Sequence, residues 1–462
     1  MRDFLTSLAP KLGIDRAVLY ALLTRGWRAF AGLISILLIA KFLTPEIQGY
    51  FYTFQSLVAL QVFAELGLLL VVVNVTSHEW SKLQLNDAGQ IVGDPIALSR
   101  LVSFGRKLAS WYAAAAAVFV LLVAPGGAGF LAQKGIAEEW LAPWLLTVLF
   151  QGALLWMAPF QALLEGCNQV VAIQRFQFWQ GVLANLILWI CLASGAGLWS
   201  VAALVGAQAM SSAYYLWVVQ RPFFLPFRHP PTGPRINWKF EVWPMQWRLA
   251  VQGVVNYLIY SLYTPVIFHY YGAVEAGRFG MTWQVFSSLQ LFGLAWVQTR
   301  VPRFGMLIAR RDFADLDVLW RRTMLLAIGV FALGMGAFLV FLLMLSHFEL
   351  ELGQRFLSAE IAWLLLPTGI LAMWVQCAAS YWRAHKEEPL GFSAAIPGLF
   401  NGALVWWWGS SYGAKGAIAS YLIMLGVMSG PLALYLKHKV TRDYRAVLID
   451  VDKHKDTQYG YN

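Results

Sequence analysis

Twelve long apolar stretches, separated by short polar gaps, account for most of the chain. A helix needs about 20 apolar residues to cross a hydrocarbon core. The stretches that meet this length are 18–42, 50–75, 110–131, 141–164, 178–197, 200–220, 246–270, 279–299, 322–345, 360–382, 390–409 and 415–436. Several carry a few polar residues at steps of three and four, which places those residues on one face of a helix. The pattern predicts an all-α polytopic membrane protein with about 12 transmembrane helices.

The gaps differ in charge. If the termini and every second gap share one side, that side holds 26 of the 34 lysines and arginines. The other side holds five: Lys41, Lys134, Arg278, Arg355 and Lys415. Arg25, Arg28 and Arg248 fall inside spans. Basic loops stay in the cytoplasm, so both termini are expected there.

Composition supports this reading. The chain is 59% apolar and 13% charged, and its 22 Trp and 18 Tyr suit membrane interfaces. The net charge of +10 follows from the loop bias and attracts anionic lipid; it is not a nucleic-acid signature. Cys167, Cys191 and Cys377 lie in or beside spans and suggest neither a disulfide framework nor a zinc site. The first 16 residues are mixed and polar, so the first span is expected to act as an uncleaved anchor. No phosphate-cradling Walker loop, nucleophile–base set or metal-ligand spacing occurs, so neither a cofactor nor a metal is expected.

A proline-rich basic gap at 221–245 divides the chain into an N-terminal lobe, 1–220, and a C-terminal lobe, 246–438, with a tail at 439–462. Such gaps act as stiff linkers. Residues 43–57 and 271–285 share an acidic turn, a glycine (Gly49, Gly277) and a phenylalanine (Phe51, Phe279) at a constant offset. Six spans per lobe is an even number, so the lobes insert in parallel.

Ionisable residues inside spans are costly and are functional candidates by default. The first span carries Arg25, Arg28 and Ser35 on one face, and the seventh carries Arg248, Gln252, Asn256 and Tyr260. If both faces meet at the seam between lobes, they line a cationic cavity suited to phosphate, which the planar guanidinium fork binds with two parallel hydrogen bonds. The alternative is that these arginines snorkel to the headgroups. The second span carries Gln61 and Glu65 one turn apart. Glu65 is a candidate coupling or gating group, or else a structural one paired with Arg25 or Arg28. Gln284 and Ser288 on the eighth span read equally as cavity lining and as contacts between helices.

The run Leu43-Thr44-Pro45-Glu46-Ile47-Gln48-Gly49-Tyr50, followed by Phe63-Ala64-Glu65-Leu66-Gly67-Leu68, resembles bacterial polysaccharide biosynthesis transporters. These are the O-antigen-flippase-like members of the multidrug/oligosaccharidyl-lipid/polysaccharide exporter superfamily. The resemblance implies two parallel six-helix lobes around a central cavity and alternating access in a bacterial cytoplasmic (inner) membrane. It implies a polyprenyl-diphosphate-linked glycan as substrate, with membrane lipid, polysaccharide polymerases and glycosyltransferases as partners and no nucleic acid. Arg25, Arg28 and Arg248 would then hold the diphosphate. Ser35, Gln61, Gln252, Asn256, Tyr260, Gln284 and Ser288 would line the cavity, and Glu65 would couple or gate. The rival readings are a multidrug/cation antiporter of the same superfamily and a membrane enzyme or scaffold of polysaccharide assembly.

Overall fold

The computed structural model describes residues 16–133, 137–385, 395–439 and 441–442. Lys386, Glu387 and Glu388 of the 383–388 loop, and the tail beyond residue 442, lie outside these residues. The protein is an all-α polytopic membrane protein. Among the described residues, eight helices are long and apolar enough to cross a membrane, and two bent helix pairs make ten. The helix Ala273–Gln298 coincides with the expected eighth span. Ala395–Lys439 covers 45 residues, about 68 Å at 1.5 Å per residue, more than twice a hydrocarbon core. It kinks at Gly413 (φ 58°, ψ −139°), between the expected eleventh and twelfth spans.

Caps set the helix starts. Thr44 accepts a hydrogen bond from the Ile47 amide at 3.2 Å, and Pro45 occupies the first turn. Asp94-Pro95 repeats the device: Asp94 accepts from the amides of Ile96 and Ala97, starting a helix, Pro95–Leu131, fifteen residues before the expected third span. Asp312 caps Phe313–His347 by accepting from the Asp315 amide.

The chain forms two compact units, Met1–Gly280 and Met281–Asn462, and the division falls inside the helix Ala273–Gln298. In the first unit, the first span (Arg16–Phe42) packs mainly on the fifth (Val170–Ala193). The third (Pro95–Leu131) packs on the fourth (Ala137–Gly166), and the fourth on the sixth (Trp199–Tyr214). Gly49 lies so near Ala273 that an added Cβ would clash with the Ala273 carbonyl group. The side chain of Gln48 donates to the Gly277 carbonyl at 2.9 Å. Small residues permit this close crossing of two membrane helices.

In the second unit, Phe313–His347 packs along Leu365–Ala384. The indole of Trp320 donates to the Cys377 carbonyl at 3.1 Å, and Phe286 meets Phe331 edge to face.

Two segments depart from the sequence reading. Leu83–Leu85 and Ile91–Gly93 pair as an antiparallel hairpin around Asn86-Asp87-Ala88-Gly89, a small strand element in a chain read as all helix. The proline-rich gap at 221–245 is not a free spacer. Its backbone amides at Gly233 and Ile236 donate to Ser99 and Ser103, and Arg106 donates to the carbonyls of Phe227 and Arg228. Arg100 bridges Glu79 and Glu241. Prolines cannot donate, so the strap is tied down through its few amides and its carbonyls.

Candidate functional site

The second span was expected to be one helix over 50–75. It is two, and the break lies beside Glu65. The pair Pro45–Glu65 and Leu68–Trp80 meets at 45°. Leu66 (φ 51°) and Gly67 (φ 64°) both take the left-handed conformation, which a helix cannot continue through. The seventh span, Trp238–Tyr260 and Tyr263–Tyr271, is bent by 42°. Its first part packs against the break. A Cβ on Gly67 would come within 2.5 Å of Leu249 Cβ and 2.7 Å of its carbonyl carbon. Phe63 and Tyr257 meet edge to face at 5.3 Å, and Gly253 lies against Val62.

Glu65 ends the short helix Val62–Glu65 and is half-buried. Among the described residues it forms no ion pair, so the alternative pairing with Arg25 or Arg28 is not what the structure contains. It lies within electrostatic reach of Tyr112 on the third span, whose buried hydroxyl has no hydrogen-bond partner among the described residues. Gln61, one turn earlier, accepts a hydrogen bond from the side chain of Gln151 on the fourth span.

The arginine stripe of the first span divides. Arg25 and Arg28 are exposed and form no ion pair among the described residues. Ser35 is buried and accepts from the Trp189 indole at 2.9 Å, so it joins the first span to the fifth. On the seventh span, Arg248 and Asn256 are exposed, Gln252 is half-buried and Tyr260 is exposed. Steps of four keep these residues on one polar face. The Arg248 guanidinium lies 5.7 Å from the Trp247 ring centre. Gln284 and Ser288 belong to the second unit. The Ser288 hydroxyl donates to the Gln284 carbonyl at 2.8 Å, and Gln284 Oε1 is buried with no partner among the described residues.

Sequence reasoning passed over Gln151, Trp189, Tyr112 and the break itself. The Glu65-Leu66-Gly67 run was on view, but a lone glycine in an apolar run is compatible with a continuous membrane helix.

No protein-family model matches the chain, and no curated protein matches it in sequence. Solved structures do match. The inward-closed lipid II flippase MurJ aligns over 92% of this chain and 89% of its own, at 14% identity and a TM-score of 0.61. An inward-facing multidrug resistance MATE family transporter of the MOP superfamily aligns over 93% and 96%, at 12% identity and a TM-score of 0.60. A MOP superfamily transporter from Pyrococcus furiosus, described as having a binding pocket of reversed polarity, aligns over 93% and 95%, at 10% identity and a TM-score of 0.50. Near-complete coverage in both directions shows that this chain has the fold of MOP-superfamily transporters.

Proposed function

We propose that the protein is a flippase for polyprenyl-diphosphate-linked oligosaccharide, acting by alternating access in a bacterial cytoplasmic membrane with both termini in the cytoplasm. The observation that carries this reading is the set of arginines within membrane helices, Arg25, Arg28 and Arg248, exposed and without ion pairs among the described residues. Each charge left in hydrocarbon costs about 3 kcal/mol, so an arginine retained in a span needs water or an anion beside it. A diphosphate supplies the anion, and the guanidinium fork matches its oxygens.

In the proposed cycle the arginines recruit the diphosphate from the cytoplasmic side. Gln252, Asn256 and Tyr260 hold the first sugars, with Gln284 and Ser288 as further lining. The lipid tail remains in the bilayer, and movement of two six-helix lobes, 1–220 and 246–438, exposes the headgroup outside. Ser35 and Gln61 are occupied in contacts between helices and serve as framework in this conformation. In this reading Glu65 takes up a proton or cation, and the helix break beside it supports the role by freeing backbone carbonyls.

That carboxylate favours the second reading, a multidrug/cation antiporter. The multidrug resistance transporter and the MurJ flippase share this fold, so the chemistry of the lining separates the two readings. Complementation of a flippase-deficient strain tests the first. Arg28→Ala is expected to abolish growth at normal protein levels, and Arg28→Lys to retain part of it, since charge survives without the fork. Full activity of Arg25→Ala, Arg28→Ala and Arg248→Ala alike would reduce these residues to anchors of helix ends.

A further inference from the structure

The basic segment that follows the eighth span has no part in the proposed transport path. Within the second unit, Arg300, Arg303 and Arg322 line one cavity of about 330 Å³, together with Trp296, Thr323 and Leu326. All three arginines are exposed and, among the described residues, none forms an ion pair. Arg300 and Arg303 are presented from a firm base, because Phe304 of the short helix Val301–Ala309 is fully buried.

The cavity opens onto apolar surface. Leu326, Val330 and Leu333 follow Arg322 at steps of four, four and three, on one face of Phe313–His347. All three are exposed, Leu333 by 77%. On the other side, Phe292 and Trp296 stand one turn apart and are likewise exposed. Leucines this exposed on a membrane helix face acyl chains, and tryptophan favours the headgroup level. A cluster of cations that passes within one helical turn into an apolar stripe matches an amphiphile with an anionic head.

We propose that this recess binds the phosphate headgroup of an anionic membrane phospholipid, whose acyl chains lie along Leu326, Val330 and Leu333. Three guanidinium groups supply paired donors to the phosphate oxygens. In the topology proposed above, the lipid belongs to the cytoplasmic leaflet. The site rests on that membrane placement and does not require that the protein transport a glycan.

The test is thermal unfolding of the purified full-length chain in uncharged detergent, titrated with phosphatidylglycerol or with phosphatidylcholine. Phosphatidylglycerol is expected to raise the unfolding midpoint, and phosphatidylcholine to leave it unchanged. In Arg300→Gln/Arg303→Gln/Arg322→Gln the concentration for half the shift should rise roughly a hundredfold, the combined worth of three basic residues at an anionic surface. Arg310→Gln/Arg311→Gln, in the same loop but outside the cavity, should titrate like the unaltered protein. If the triple variant does not fold, Arg322→Gln alone is expected to weaken the response about fivefold. Equal shifts with the two lipids, or equal losses in the cavity and control variants, would overturn the proposal in favour of non-specific surface charge. A full shift with inorganic phosphate or pyrophosphate at the same concentration would overturn it in favour of a soluble phosphate. Because the assay involves no turnover, its failure leaves the transport reading standing, and the converse also holds.

Discussion

The second and seventh spans are bent by nearly the same angle, 45° and 42°, and they bend by different means. At the second, Leu66 and Gly67 are both left-handed, and Leu249 occupies the space a Gly67 side chain would need. At the seventh, Ser261 and Leu262 keep right-handed dihedrals, and the amides of both donate to the Tyr257 carbonyl, at 2.9 and 3.2 Å. The first bend is fixed by residue type and by packing. The second is a local loosening of helical bonding that many residues permit. The lesson is where the fixed bend lies: directly after Glu65, the carboxylate proposed to couple or gate, and against the helix that carries Arg248.

Replacing Gly67 attacks the fixed bend directly. Gly67→Ala is expected to lower stability by about 2–5 kcal/mol, adding the cost of a left-handed alanine to a clash with Leu249. Thermal unfolding in detergent measures it, and an unchanged midpoint would mean that the bend is not held by this residue. Glu65→Gln should have a smaller effect on stability, within about 1 kcal/mol, since Glu65 forms no ion pair among the described residues. Its effect belongs to transport: the pH dependence of the rate should flatten while the fold persists. If Glu65 instead paired with Arg28 during the cycle, Glu65→Gln with Arg28→Gln would recover the stability that either change alone removes. At the permissive bend, Ser261→Ala should change stability by less than about 0.5 kcal/mol. A loss as large as that of Gly67→Ala would erase the contrast between the two bends.

Much of this was legible in the sequence. Among the described residues the apolar stretches fall mostly in helices, and eight of these helices, or ten with the two bent pairs, are long and apolar enough to cross a bilayer. The helix starts were not: the spans were expected from 50 and 110, whereas the Thr44-Pro45 and Asp94-Pro95 caps begin their helices at Pro45 and Pro95. The break at Leu66–Gly67 was hidden, since a lone glycine suits a continuous helix and the residue packed against it, Leu249, is distant in sequence. The polar stripes were legible as faces but not as partners. Periodicity places Ser35 and Gln61 on a helix side, and only the packing shows that Trp189 and Gln151 stand opposite. The strap at 221–245 was missed for a similar reason: its prolines announce extended backbone, while its anchors, Ser99, Ser103 and Arg106, lie more than a hundred residues earlier.

Transport in purified proteoliposomes tests the central claim most directly. The protein is reconstituted with a fluorescent polyprenyl-diphosphate-linked sugar in one set of vesicles and with an organic cation in another. The account predicts movement of the lipid-linked sugar across the bilayer, at least tenfold slower in Arg28→Ala and Arg248→Ala, and no movement of the cation. Cation transport that both arginine variants retain and Glu65→Gln abolishes, with the lipid-linked sugar left in place, would contradict it.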